Sequence, residues 1–459
     1  MTSSLSLSAP QPNRSLSPLC AALDAAAARP RSSELCLVQI PVPARRGEAL
    51  LELEASGEAC YWSEPGGYEY VGLGLTRAIT GNGEPRFRTV SDELRSAFES
   101  LGDDATGLRL FGGFAFQPGR AETAAWRGFG EARFVLPRLA YVREGDQARL
   151  LLVLRTSELD EGSARDHALA FAERALAALS APLDDPASSL EPARLDGRPE
   201  LEYVQLVEDA RSAIERGELE KVVLSRRVDL TLPKPVSPAQ ALRRLSAIAP
   251  ECVRFAFRVG SATFLGATPE RLVTKRGRAF ETDALAGSMS VGDAPPGRLM
   301  ESSKDRAEQA IVLRELLHTL APIASELTHA KLPEIHRLKH VAHLRTRIRG
   351  LLRDPIHVLD LVERLHPTPA VGGVPSARAL GWIAEHEPDE RGWYAGPIGW
   401  VDCEGDGEFA VALRSGLLEK DHGFLYAGAG IVKGSDPRSE LDETRWKLQA
   451  LLGALGVSP

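Results

Sequence analysis

The chain has 459 residues, 43% of them hydrophobic and 26% charged, with a net charge of −8. That length accommodates two or three ordinary domains or one large one, and the composition is that of a soluble globular protein. The acidic balance leaves no basic excess to neutralise phosphates, which excludes a general nucleic-acid binder.

Taken in chain order, residues 1–18 (MTSSLSLSAPQPNRSLSP) are rich in Ser and Pro and read as a disordered tail rather than a signal peptide. Five cysteines, Cys20, Cys36, Cys60, Cys252 and Cys403, form no CxxC pair, so neither a disulfide framework nor a thiolate zinc site is expected. No apolar run reaches the roughly 18 residues that span a bilayer, and a cytoplasmic protein is the expectation. The runs LCLVQIPVP (35–43), LRLFGGFAF (108–116), ARFVLPRLAYV (132–142) and ARLLLVLR (148–155) read as strands. ARDHALAFAERALAAL (164–179) reads as a helix. The Pro/Asp/Ser-rich stretch 180–200 divides a strand-rich region, 19–195, from the region 196–459. Hairpin signals such as EGDGE (404–408) and EKDHG (419–423) outnumber βαβ units. The expected fold is therefore α+β, a large, mostly antiparallel β-sheet sandwich flanked by helices, with 19–195 completing the same fold. No internal repeat, GxGxxG, Walker loop or GxSxG elbow is present.

The chemistry-bearing residues fall in the second region. A helix over EYVQLVEDARSAIERGE puts Tyr203, Leu206, Val207, Ala210 and Ile214 on one face and ends at Gly217. The strand KVVLSRRVDL follows, with Lys221, Val223 and Ser225 on one face and Val222 and Leu224 on the other. From position alone, Lys221 is a solvated strand-end charge. In SATFLGATPERLV a strand reaches Gly266 and breaks at Pro269, presenting Glu270, on its own an exposed turn acid. TDALAGSMSVG (282–292) reads as a small-residue turn whose backbone N–H groups at Gly287 and Ser288 suit an anion. SSKDRAEQAIVLRELLHTL (302–320) reads as a serine-capped helix with an apolar stripe through Ala310, Leu313, Leu317 and Leu320, Glu308 lying off it. LHPTPAVGGVP (365–375), with Ala370, is a Pro/Gly loop. Tyr394 and Arg414 sit in strand-like runs, and Gly428 and Gly430 break another. The last helix, 435–452, carries Asp436 as N-cap and Glu440, Glu443 and Lys447 on one face. Its charges read either as an i,i+4 salt bridge on a solvated helix or, with Glu308, as a carboxylate cluster for a hard divalent cation.

In this order and spacing, these blocks resemble the chorismate-utilising enzymes, the isochorismate, salicylate, anthranilate and aminodeoxychorismate synthases. The resemblance is dense from Lys221 to Leu452 and thinner before it, where LFGGFAF (110–116) is the best match. KVVLSRR and ALAGS are of the water-adding type, LHPTPAVGG is the isochorismate-synthase form of its loop, and salicylate synthases tend to carry Thr where Ala370 stands. The resemblance implies a Mg²⁺-dependent, reversible isomerisation of chorismate to isochorismate, water adding at C2 as the C4 hydroxyl leaves. The product would feed menaquinone or siderophore biosynthesis. Salicylate synthesis, with pyruvate elimination, is the alternative. By resemblance, Lys221 is the general base and Glu270 the general acid. Glu308 and Glu440 are Mg²⁺ ligands, with Glu443 beside them. Arg414, Lys447 and the Gly428–Gly430 backbone bind substrate carboxylates, and Gly287 and Ser288 contact the ring carboxylate or C4 oxygen. His343, Ala370 and Tyr394 line the pocket. The family resemblance also implies a monomer, while the charge balance and the lack of a long apolar run lead to the expectation of no nucleic-acid or membrane partner. One departure is Gln309, where many relatives have His.

Overall fold

The computed structural model describes residues 17–29, 33–53, 57–181, 193–291, 297–339 and 341–457. Their strands form two antiparallel sheets, one of 12 and one of 10 strands. The first runs in the order Leu35–Pro43, Gln147–Arg155, Leu139–Glu144, Tyr68–Leu73, Ala59–Ser63, Val253–Val259, Ala262–Thr268, Ser415–Glu419, His422–Val432, Lys221–Thr231, Gly373–Val374, and Arg194–Gly197 pairs with Lys221–Thr231. The second runs Ala324–His329, Val341–Leu352, Ala279–Ser290, Arg271–Arg276, Gly407–Val411, Pro397–Val401, Leu110–Phe114, Ala132–Leu136, Arg77–Thr80, with Glu334–Arg337 beside Val341–Leu352. This is the expected α+β architecture of large antiparallel sheets with flanking helices. Each sheet takes strands from both sides of residues 180–200: Ala59–Ser63 pairs with Val253–Val259, and Leu110–Phe114 with Pro397–Val401.

The main core draws on both sheets and is dense in aromatic rings: Trp62, Phe111, Phe114, Phe134, Phe257 and Trp393 are all at most 3% exposed. Their edge-to-face and stacked contacts, such as Tyr70 on Phe111 at 4.1 Å, add orientation preference to simple area burial. A second core lies under the helices Gly162–Ser180, Pro238–Ile248 and Pro437–Leu455.

The structure corrects several local readings. Residues 132–142 are not one strand: Pro137 ends Ala132–Leu136, and Leu139–Glu144 joins the other sheet. A proline with no N–H to donate makes that break. The stretch 282–292 is no turn but part of the strand Ala279–Ser290, bulged where the register shifts between Ala286 and Ser288. Gly287 takes φ +73 there, a conformation that only glycine adopts freely. Gly428 and Gly430 do not break a strand either; His422–Val432 runs unbroken along Lys221–Thr231. The helix Ser303–Leu320 is capped by Ser302 as expected, but its buried face is Glu308, Gln309, Val312, Leu316 and Leu320, and Ala310 is exposed. Glu308 is thus on the inward face, which the apolar stripe of the sequence did not reveal. Of the expected disordered tail, residues 1–16 lie outside the described residues, while Ser17 and Pro18 open the helix Ser17–Ala27.

Candidate active site

Twice, at adjacent places, the chain changes sheet. Ala262–Thr268 of the first sheet passes through Pro269 and Glu270 into Arg271–Arg276 of the second, and Gly407–Val411 of the second passes through Arg414 into Ser415–Glu419 of the first. Hydrogen bonds tie the two crossings. Val411 N donates to the Glu270 carbonyl at 3.0 Å, and Ala267 N to the Arg414 carbonyl at 3.3 Å. Thr268 Oγ1 donates to the Val411 carbonyl at 2.7 Å. Arg414 takes φ +49, a left-handed backbone seldom used by residues with a side chain and often found at functional sites.

Glu270 and Arg414 open on one cleft, whose empty space, mouth included, is about 730 Å³. The structure brings most of the sequence candidates together around it; Lys221 and Glu440 are off its lining, paired with Glu308 and Lys304. Gly287, Ser288, Glu308 and His343 line it, as do Ala370, Tyr394, Gly428, Gly430, Glu443 and Lys447. The strand face carrying Val223 and Ser225 lines it too, while Val222 and Leu224 face the core. Lys221, 0% exposed, points its Nζ to the Glu308 carboxylate at 2.9 Å. A solvated strand-end lysine is therefore excluded.

The glycines make this approach possible. A Cβ at Gly430 would lie 2.3 Å from Glu308 Oε1 and 3.1 Å from Lys221 Cε, and one at Gly428 would lie 2.7 Å from the Leu224 carbonyl. Gly430→Ala is expected to lower the unfolding free energy by about 1–3 kcal/mol, the usual cost of overpacking. It should also displace Glu308 from Lys221. Chemical denaturation checks the first effect; an unchanged midpoint with full activity would contradict this packing.

Glu270 is 5% exposed, and burial pushes its carboxyl up to about 7 against the opposing fields of Lys221, Lys447 and Arg414. His343 is held far below its ordinary value by burial and then by Arg414. Arg414 Nη2 donates to His343 Nε2 at 2.9 Å, so the neutral ring carries its proton on Nδ1, which faces Ser288 Oγ at 3.1 Å and the Gly287 carbonyl at 3.3 Å. The imidazole thus fixes Arg414 against the glycine bulge, with the rest of the guanidinium left to meet an anion.

The three carboxylates of the acidic helices are each turned to a lysine. Lys221 meets Glu308; Lys304 meets Glu440 at 2.5 Å; Lys447 meets Glu443 at 2.6 Å and donates to the Gly428 carbonyl at 2.9 Å. Burial, then the Glu443 charge, pushes Glu440 up to about 7. Burial would raise Glu308 as well, but the Lys221, Lys304 and Lys447 charges outweigh it and hold Glu308 below the ordinary range. Lys304 is raised despite burial by all three acids, Glu440, Glu443 and Glu308. Among the described residues, no three His, Cys, Asp or Glu side chains converge closely enough to hold a metal as they stand. The donor chemistry nonetheless fits a hard cation: Glu440 already holds the Lys304 ammonium, and the Glu443 and Glu308 charges reach it. The i,i+4 Glu443–Lys447 bridge is present, but it faces the cleft rather than bulk solvent.

Sequence reasoning missed two features. One is Lys304. The other is the buried pair Glu387–Arg391, at 2.5 Å. Glu387 accepts from Ser225 N and Oγ at 2.7 and 3.0 Å, and Arg391 donates to the Val371 and Val223 carbonyls at 2.9 and 2.7 Å. The pair clamps the loop containing Ala370 onto the strand that carries Lys221. Its only sequence signal is the i,i+4 spacing in EPDER.

Comparison with known proteins bears on this site. Residues 22–456 match the model of the family described as chorismate binding enzyme. The chain belongs to that family. Among its relatives are isochorismate synthases that align over most of its length. The salicylate biosynthesis isochorismate synthase of Pseudomonas aeruginosa is 36% identical over 409 residues, 86% of this chain and 84% of that protein. The isochorismate synthase MenF of Escherichia coli is 33% identical over 428 residues, 90% of this chain and 92% of that protein. The solved structure of E. coli MenF, a menaquinone-specific isochorismate synthase, superposes with a TM-score of 0.78 at 30% identity, covering 95% of this chain and 100% of that one. Anthranilate synthase component I from Streptococcus pneumoniae shares the fold, with a TM-score of 0.71 at 21% identity over 85% of this chain and 93% of that one.

Proposed function

We propose that this protein is an isochorismate synthase, an isomerase that adds water at C2 of chorismate and removes the C4 hydroxyl. The observation that carries the reading is a fully buried lysine, Lys221, paired with Glu308 of the cleft wall and close enough for its charge to reach a second glutamate of that wall, Glu270, held up to about 7. Lys221 takes a proton from the attacking water, and Glu270 gives one to the departing C4 hydroxyl. The ring double bonds shift between the two carbons, and one water enters as one leaves. A carboxyl held at about 7 keeps roughly half its population protonated at neutral pH, where an ordinary glutamate would be almost wholly ionised, and so can serve as a general acid. Arg414 and Lys447 hold the substrate carboxylates, Arg414 in the pose His343 sets. Gly287 and Ser288 meet the ring carboxylate or C4 oxygen, Gly428 and Gly430 let the substrate approach the strand backbone, and Ala370 and Tyr394 close the walls.

Glu308, Glu440 and Glu443 are the oxygen donors that would hold Mg²⁺, whose charge would neutralise a substrate carboxylate. Glu308 is also the ion-pair partner of Lys221, 2.9 Å from its Nζ. Glu440→Gln is expected to raise the Mg²⁺ concentration for half-maximal activity at least tenfold, and chelation should abolish turnover. An unchanged Mg²⁺ titration would remove Glu440 from the donor set.

Incubation with chorismate and Mg²⁺, followed by chromatography, tests the function itself. Isochorismate as the product supports it; salicylate with pyruvate would make the protein a salicylate synthase, a reading that Ala370 disfavours. The product would enter menaquinone or siderophore synthesis, both open to this chemistry. We further propose a cytoplasmic monomer; no helix among the described residues is long and apolar enough to cross a membrane.

A further inference from the structure

A second cavity lies away from the catalytic groups, with about 1090 Å³ of empty space, mouth included. Two buried polar side chains that line it each leave a polar atom without a partner. Arg86 is 4% exposed, and its Nε has no hydrogen-bond partner. It makes no ion pair among the described residues and lies 5.0 Å over the Phe87 ring; Glu84 and Glu363, which also line the cavity, and Glu131 reach it only through their fields. His366 is 9% exposed; its Nε2 donates to the Phe116 carbonyl at 3.0 Å, and its Nδ1 has no partner. Because Nε2 carries the proton, Nδ1 of the neutral ring can only accept. Burial holds this imidazole down at about 3, the neutral form, with Arg86 adding to the effect.

Arg86 also begins the helix Arg86–Glu99, whose N-terminus has no side-chain cap and no acidic residue in its first turn. Arg86 N donates to the Gly83 carbonyl at 3.3 Å, and the N–H groups that follow it add to the guanidinium as an anion subsite. Phe87, Phe116, Pro118, Pro367 and Leu380 supply apolar walls. Leaving the Arg86 Nε and an imidazole nitrogen buried without a hydrogen bond is costly, and such atoms are normally bonded. The missing complement is an acceptor pair for Arg86 and a donor for His366 Nδ1.

We propose that this cavity is a binding site for a small hydroxycarboxylic acid with a compact apolar body. Its carboxylate meets Arg86 and the helix N-terminus, and its hydroxyl donates to His366 Nδ1. The site adjoins the catalytic cleft through short links. His366 precedes Ala370 and Val371 of the cleft wall, and the Phe116 ring packs against both His366, at 5.8 Å, and Arg391, at 4.2 Å. An occupant that orders His366 and Phe116 acts on the loop and on the Arg391 clamp, and so alters the chorismate KM.

Titration calorimetry of the full chain with 3-hydroxybenzoate and with benzoate tests this in the parent protein, Arg86→Gln, Ala377→Glu and Arg414→Gln. Ala377 is exposed on the cavity lining, so its acidic variant repels a carboxylate without disturbing the core. The expected result is 3-hydroxybenzoate binding that survives Arg414→Gln, weakens at least tenfold in Arg86→Gln and Ala377→Glu, and exceeds benzoate binding several-fold. Saturating 3-hydroxybenzoate should then shift the chorismate KM at least twofold in the parent but not in Ala377→Glu. Binding lost in Arg414→Gln and kept in the other two would place the ligand in the catalytic cleft and overturn the site, as would no binding. Binding at the site with an unchanged KM would overturn the coupling. A failure of the parent to convert chorismate would overturn the proposed function, while the binding arms would still decide the cavity.

Discussion

Lys221→Met is expected to lower kcat for chorismate by about 10²–10⁴-fold, the range that a positioned acid or base contributes, while the Kd for chorismate stays within a few-fold. The lysine is fully buried and ends on Glu308 rather than on Arg414 or His343, the candidate carboxylate-binding groups. Binding and chemistry should therefore separate in this variant. Stability is the second readout. Methionine fills the same space but leaves Glu308 without its nearest counter-charge, and breaking a buried pair in this way costs about 3–5 kcal/mol. Lys304 and Lys447, whose fields also reach Glu308, soften that cost. Lys221→Met/Glu308→Gln should recover most of the stability and none of the activity. Equilibrium denaturation and rates measured well below the melting temperature check both halves. Full turnover in Lys221→Met would remove the base from the account.

Glu270→Gln should be nearly as damaging to kcat, because the amide cannot protonate a leaving hydroxyl. Its pH behaviour is more diagnostic. With the folded carboxyl raised to about 7, the acid form is lost as pH climbs through 7, so kcat/KM of the parent should fall above neutrality on this limb. The residual rate of Glu270→Gln should lack that limb. The stability sign is fixed by the same shift. Between about 4.5 and 7 the unfolded state has released the proton that the folded state keeps, so stability declines as pH rises through that window. Above it, the parent carries a penalty on the order of 3 kcal/mol that Glu270→Gln does not. A variant less stable than the parent at pH 8, or a parent profile without the alkaline limb, would show that Glu270 is not the buried acid described.

Much of the fold was legible because period-2 runs and turn residues speak locally. Leu35–Pro43 matches its apolar run, Gly217 takes φ +74 after its helix, and Asp436 caps the last helix by accepting from Ser439 N at 2.8 Å. What failed depended on partners distant in sequence. Nothing in ARFVLPRLAYV states that its halves belong to different sheets, and nothing local marks Gly428 and Gly430 as positions in a continuous strand. The apolar stripe misplaced the inward face of Ser303–Leu320 because that face is partly polar, with Glu308 and Gln309 turned inside. Gln309 makes a specific bond there, donating to Thr346 Oγ1 at 2.8 Å. The residue types of the site were visible in the sequence, but their pairing was not. That Glu308 meets Lys221, and that Lys304 stands among three carboxylates, follows only from the two helices closing over the strand.

The most direct test is turnover of chorismate in H₂¹⁸O, with the product examined by mass spectrometry. The expected product is isochorismate two mass units heavier, with the label on the C2 oxygen, formed by the parent and not by Lys221→Met. Unlabelled isochorismate would mean that the C4 oxygen migrates within the substrate, and would contradict the activation of water by Lys221 on which the account rests.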